Sequence, residues 1–94
     1  MIVGKFRAEV YSDVTALQSL ATENDLEPIR ALAHRLKGTC SNAQAMPLAD
    51  SAKHLQTAMT AGTLDQAQSL IATLEAQRQE LERYLVEQGY DSEF

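Results

Sequence analysis

Apolar residues recur along this chain at three- and four-residue intervals in four successive blocks, the spacing of amphipathic helices. The first block runs from about Lys5 to Thr22, with Phe6, Val10, Val14, Leu17, Leu20 and Ala21 on one side. Asn24 and Asp25 break it and supply the cap of a second block, whose stripe is Ile29, Leu32, Ala33, Leu36 and Cys40 and which ends near Ser41 and Asn42. The third runs from about Ala45 to Ala61 on Leu48, Ala52, Leu55 and Met59. Pro47 falls in its first turn, where a missing N–H costs no helical hydrogen bond. Gly62 suits the position just past a helix end, and Thr63-Leu64-Asp65-Gln66 reads as a capping box for the last block. That block extends to about Glu87 on Leu64, Ala67, Ile71, Leu74, Leu81 and Leu85, and Gly89 ends it. Tyr90 to Phe94 form a short polar tail expected to fray.

No alternating run of strand type persists, and Ala, Leu, Gln and Glu, all good helix formers, dominate. Short connections favour antiparallel neighbours, so the expected fold is an all-α, antiparallel, up-and-down four-helix bundle. Ser12 and Asp13 have the chemistry of a helix cap inside the first block, which leaves room for a short extra N-terminal helix.

Composition narrows the class. Ninety-four residues, 45 % of them apolar, suit one domain with a modest core at about 5–88, followed by the tail at 89–94. The single cysteine, Cys40, excludes an intrachain disulfide and fits a reducing, cytoplasmic setting; its place on the core stripe makes it a small buried hydrophobe. No apolar run approaches the roughly 20 residues that span a bilayer, and the first five residues lack a signal-peptide h-region, so no membrane contact is expected. Thirteen acidic against eight basic residues give a net charge of −5, which argues against nucleic-acid binding.

One window departs from that acidity. From Pro28 to Ala49 there is no acidic residue, while Arg30, Arg35 and Lys37 all lie there. The five stripe residues of this second helix cluster within roughly 50° of one direction, and His34 falls roughly 130° away, on the wetter flank. Arg30 and Lys37 stand at i−4 and i+3 from His34, where helical side chains meet. Gly38, one turn after His34, costs the helix about 1 kcal/mol relative to alanine. Its use there is access: no side chain at position 38 stands over the imidazole. An exposed imidazole among cations suits the handling of an anion, phosphate above all.

Other chemistries fail on spacing. Cys40 faces the core and His34 does not, so no zinc cluster forms, and no metal site is expected. Nothing acidic lies near His34 in sequence to build a nucleophilic triad. No glycine-rich phosphate loop exists, so the chain is expected to be neither a kinase nor another ATP-using enzyme. His54 projects away from its stripe and reads as a solvated surface residue.

The run His34-Arg35-Leu36-Lys37-Gly38-Thr39-Cys40, preceded by the capped start Asp25-Leu26-Glu27 and followed by the Leu48…Leu55 spacing, resembles the histidine-containing phosphotransfer (HPt) domain of bacterial multistep phosphorelays. The likeness covers about Phe6 to Leu85 and rests on the His-x-x-Lys-Gly core placed on the second main helix. Two positions depart from it: where the family often has glycines, seven and ten residues after the histidine, this chain has Ser41 and Gln44. The resemblance implies that His34 accepts a phosphoryl group from a receiver-domain aspartate and passes it to a second receiver. Lys37 would offset charge on the phosphoryl oxygens and Gly38 keep the approach open. Arg30, Arg35, Ser41 and Lys53 would belong to a partner-docking surface. No cofactor is expected on this chain; a Mg²⁺ ion is implied on the receiver's side, and a monomer is expected. Two alternatives stay open: a helical-bundle interaction module without phosphotransfer, and a dimeric bundle of the sensor-kinase dimerisation type. The chain also fits either a free-standing protein or one domain of a hybrid sensor kinase.

Overall fold

The computed structural model describes residues 3–23, 25–62 and 64–89. Four helices account for nearly all of them: α1 (Val3–Ala21), α2 (Leu26–Asn42), α3 (Met46–Thr60) and α4 (Ala67–Glu87), with a 3₁₀ turn at Leu64–Gln66 before the last. Among the described residues there is no strand. Each helix packs on its neighbours in chain order, and α4 closes the ring against α1. The ion pair of Arg7 with Glu82 and the seat of Arg78 over the Tyr11 ring, 5.1 Å from its centroid, show α1 and α4 running antiparallel. The most extensive contact is between α2 and α3, the two helices joined by the shortest connection.

The core follows the apolar stripes. Val10, Val14, Leu17, Ile29, Leu36, Leu55 and Leu74 are almost fully sequestered, and Leu20, Leu32, Leu64 and Leu81 cover the cluster from its edges. Burying a side chain of this size contributes roughly 1.5–3 kcal/mol. Cys40 is fully buried among them, and burial, with the nearby Asp13 carboxylate as a smaller cause, pushes its thiol up to about 12.

One expectation about a helix start needs correction, and a second, the capping box at Thr63–Gln66, turns on a residue outside the described ones. Ser12 and Asp13 cap nothing: α1 is continuous from Val3 to Ala21. The Asp13 carboxylate is buried and forms an ion pair with Arg35 of α2, so it serves as an interhelix counter-ion instead. At the start of the last helix, Thr63 lies outside the described residues. Leu64–Gln66 form the 3₁₀ turn, and α4 begins at Ala67 with no side-chain cap from Gln66. The tail at 90–94 also lies outside the described residues.

The caps of α2 set where the central helix begins and ends. The Asp25 side chain accepts from the Glu27 N–H at the N-terminus, and Pro28 is tolerated within the first turn. At the other end the Gln44 N–H donates to the Ser41 carbonyl and the Ala45 N–H to the Cys40 carbonyl. This paired pattern is a Schellman motif. It needs a left-handed residue in the position just past the helix, and Gln44 supplies it with φ 61°. That is one of the two positions where the HPt resemblance leads one to expect glycine. After α3 the same place is held by Gly62, at φ 84°.

Candidate functional site

His34 sits midway along α2 with its side chain exposed, on the flank away from Ile29, Ala33, Leu36 and Cys40. Packing therefore leaves it in solvent, as the periodicity indicated. It is not left to rotate freely. Its Nδ1 lies 3.1 Å from the side-chain amide nitrogen, Nε2, of Gln56 on α3. The two imidazole nitrogens point to different sides of the ring, so the Nδ1 contact turns the ring's Nε2 away from Gln56.

That contact also bears on the proton. A neutral imidazole has one nitrogen with a hydrogen and one with a lone pair. The Gln56 amide can present its NH₂ or, turned by 180°, its carbonyl. As placed, the Gln56 NH₂ donates to the Nδ1 lone pair and the ring hydrogen is on Nε2; the turned amide accepts from Nδ1–H and leaves the lone pair on Nε2, where an electrophile can reach it. Gln56 carries no charge, so it fixes the ring without holding a permanent counter-ion beside it.

Sequence reasoning missed Gln56. A glutamine on the polar side of a helix has no distinguishing signal by itself. The signal lies in register: α2 and α3 form a hairpin across residues 43–45, which puts a residue in the middle of α3 level with the middle of α2.

Gly38 has nothing within 4 Å of the place where a Cβ would stand. Crowding inside the chain therefore does not require glycine there, and its backbone is not in the left-handed region. What it leaves is open surface one turn from His34. Lys37 beside it is half-buried, and among the described residues it forms no ion pair.

The expected cationic patch is smaller than composition implied, and this corrects the charge picture around His34. Arg30 is paired with Glu27, one turn back on α2, which lowers the Glu27 carboxyl and raises the Arg30 guanidinium from their ordinary values. Glu27 stands just outside the acid-free window. Arg35 is exposed along most of its length, yet its guanidinium is tied to buried Asp13. Ser41 is exposed at the end of α2. Lys53, on α3, is exposed and lines a shallow groove together with Lys37, Gln56, Thr57, Thr60 and Ala61. His54 is exposed on α3 and takes no part in this groove.

No group of three or more His, Cys, Asp or Glu side chains suited to a metal ion occurs among the described residues. No helix is long and apolar enough to cross a membrane, within the same residues.

The family model described as Hpt domain matches residues 1–84. The chain belongs to the Hpt domain family, whose members are histidine phosphotransfer modules of two-component phosphorelays and interact with response-regulator receiver domains. No curated protein and no solved structure gives a significant match.

Proposed function

We propose that His34 is the phosphoacceptor of this domain, taking a phosphoryl group from the phospho-aspartate of one receiver domain and passing it to the aspartate of a second. The observation that carries this assignment is the pairing of exposure with orientation. His34 is open to solvent, and Gln56 holds its Nδ1 at 3.1 Å, so that Nε2 faces an incoming partner.

The step balances as an in-line displacement. The Nε2 lone pair forms the N–P bond as the acyl-phosphate P–O bond breaks, and the aspartate leaves as a carboxylate with that electron pair. The imidazole becomes cationic with its proton on Nδ1, where the Gln56 carbonyl, with the amide turned by 180°, accepts the hydrogen bond. Release of this proton to water gives the neutral phosphohistidine, and its return makes the imidazole a better leaving group for the next transfer. Lys37 supplies a point charge for the phosphoryl oxygens, and Gly38 keeps the approach clear. This chain contributes no ATP site and no cofactor; the Mg²⁺ ion belongs to the receiver. Arg30, Arg35, Ser41 and Lys53 surround the imidazole as a docking rim, and a transient complex of this kind needs only modest area. The domain acts as a monomer in the cytoplasm, where its receivers are.

A panel of phosphorylated receiver domains tests the proposal. At least one should transfer its label to the chain, giving an acid-labile, base-stable phosphoramidate at His34, and a second receiver should remove it. Lys37→Ala should slow transfer or shorten the phosphohistidine lifetime without preventing either. Labelling at His54, or none from any receiver, contradicts the assignment.

A further inference from the structure

Some basic side chains of this chain are neutralised by carboxylates, and others are not. Arg7, Arg30, Arg35 and Arg78 are each held by a carboxylate, from Glu82, Glu27, Asp13 and Glu75 respectively. Lys5, Lys37, Lys53 and Arg83 form no ion pair among the described residues, and of these Lys37 and Lys53 share a groove. These two lysines come from different helices and line one groove, whose remaining walls are Gln56, Thr57, Thr60 and Ala61. No acidic residue lines it. Bringing two ammonium groups to one groove without a counter-ion is unfavourable for the isolated chain, because like charges raise each other's energy. Such an arrangement leaves a place for an external anion.

The groove adjoins the phosphoryl site: Lys37 belongs to both, and Lys53 to the groove alone. Gln56 is the wall between it and His34, and the Nδ1 contact turns Nε2 away from Gln56. The phosphoryl group on Nε2 therefore stands on the other side of the ring.

We infer that this groove is the electrostatic dock for acidic side chains on the receiver, with Lys53 its specificity-determining residue. The inference rests on the proposed phosphorelay function and deepens it by naming the chemistry of the partner surface. On a chain of net charge −5, an acidic partner face is repelled broadly and attracted where unpaired lysines lie. Because Gln56 belongs to both the groove and the imidazole contact, a carboxylate held by Lys53 sets the receiver down beside His34 and leaves Lys37 for the phosphoryl oxygens. Thr57 and Thr60 contribute a polar floor without charge. The device selects receivers by the charge of their rim, and a receiver with basic residues there would be turned away.

The test is receiver binding by calorimetry and phosphotransfer in parallel, using the full chain and the panel receivers. The variants are Lys53→Gln and Lys53→Glu, each also in a His34→Ala background, with circular dichroism confirming that every variant is folded. Lys53→Gln should weaken binding by up to about fivefold, the scale of one exposed charge pair. Lys53→Glu should weaken it by about tenfold or more, and both variants should flatten the salt dependence of the affinity. The same factors should hold in the His34→Ala background, where no transfer is possible. Receiver affinity and salt dependence equal in the parent and Lys53→Glu overturn the dock while leaving transfer through His34 standing. Lys53-dependent binding without phosphorylation of His34 supports the dock and contradicts the phosphorelay function.

Discussion

His34 and Gln56 stand 22 residues apart in the chain, yet the imidazole Nδ1 and the glutamine amide meet at 3.1 Å. The α2–α3 hairpin brings them level, and these two helices pack more extensively than any other pair. The reactive side chain thus sits on one helix and its orienting group on the next. The geometry of the site depends on the hairpin core beneath it, built by Leu36, Leu55 and their neighbours.

Removing the Gln56 amide should cost activity and leave the fold intact. Gln56→Leu is expected to slow phosphotransfer by about three- to tenfold, the range of one neutral hydrogen bond. Gln56→Glu keeps an acceptor for Nδ1–H and should transfer faster than Gln56→Leu. Rapid-quench transfer kinetics with one receiver order the three proteins. A Leu variant as fast as the parent would show that the contact has no part in orienting the ring.

Gly38 separates stability from function. Nothing inside the chain stands near its missing Cβ, so Gly38→Ala should stabilise the domain by up to about 1 kcal/mol through lower backbone entropy in the unfolded chain. Gly38→Gln should also fold well but obstruct the partner one turn from His34, making it the slowest of the series to transfer. Thermal melts paired with transfer rates check this. A folded Gln variant that transfers as fast as the parent rules out access as the reason for glycine.

Much of this architecture was legible in the sequence, because a helical stripe needs only local spacing to be seen. The buried faces of α1, α2 and α3 fall on the residues the periodicity marked, and His34 falls off its stripe in both descriptions. What was not legible depends on contacts between helices. Ser12 and Asp13 have the side chains of a cap, but Asp13 is spent on Arg35, 22 residues away on α2. The acid-free window suggested free arginines, and its edge concealed Glu27, three residues from Arg30 and on the same face. Gln56 looks like any other polar surface residue until the hairpin register places it beside His34. Ser41 and Gln44 show the opposite case. The resemblance leads one to expect glycine at both; Ser41 stays helical, and Gln44 takes the left-handed backbone that glycine would favour.

That position yields a further expectation. A non-glycine residue in left-handed backbone is disfavoured by about 1–2 kcal/mol, partly offset by the chain entropy that glycine loses on folding. Gln44→Gly should therefore stabilise the domain by about 0.5–1 kcal/mol, seen as a higher denaturation midpoint. A lower midpoint would mean that the Gln44 side chain contributes more than its backbone costs.

Cys40 gives the fold a signature at alkaline pH. Its thiol ionises near its ordinary value of 9.0 in the unfolded chain and is pushed up to about 12 in the folded one. Between those values the folded chain binds the extra proton, so stability falls as pH rises; below about pH 8 the thiol makes no difference. The parent should lose on the order of 2 kcal/mol relative to Cys40→Ala between pH 8 and pH 10.5. Denaturant titrations of both proteins at the two pH values measure it. An equal loss in both proteins would show that the thiol ionises alike in the folded and unfolded chains.

The central claim is that His34 carries the phosphoryl group, and one measurement addresses it most directly: labelling of parent and His34→Gln by the same phosphorylated receiver, with the modified residue mapped by mass spectrometry. His34 is exposed and outside the core, so His34→Gln should keep the parent's helicity and melt within about 0.5 kcal/mol of it. The parent should acquire one acid-labile phosphoryl group, mapped to His34, and the variant none. A folded His34→Gln protein that still takes up the label, at His54 or elsewhere, would contradict the account.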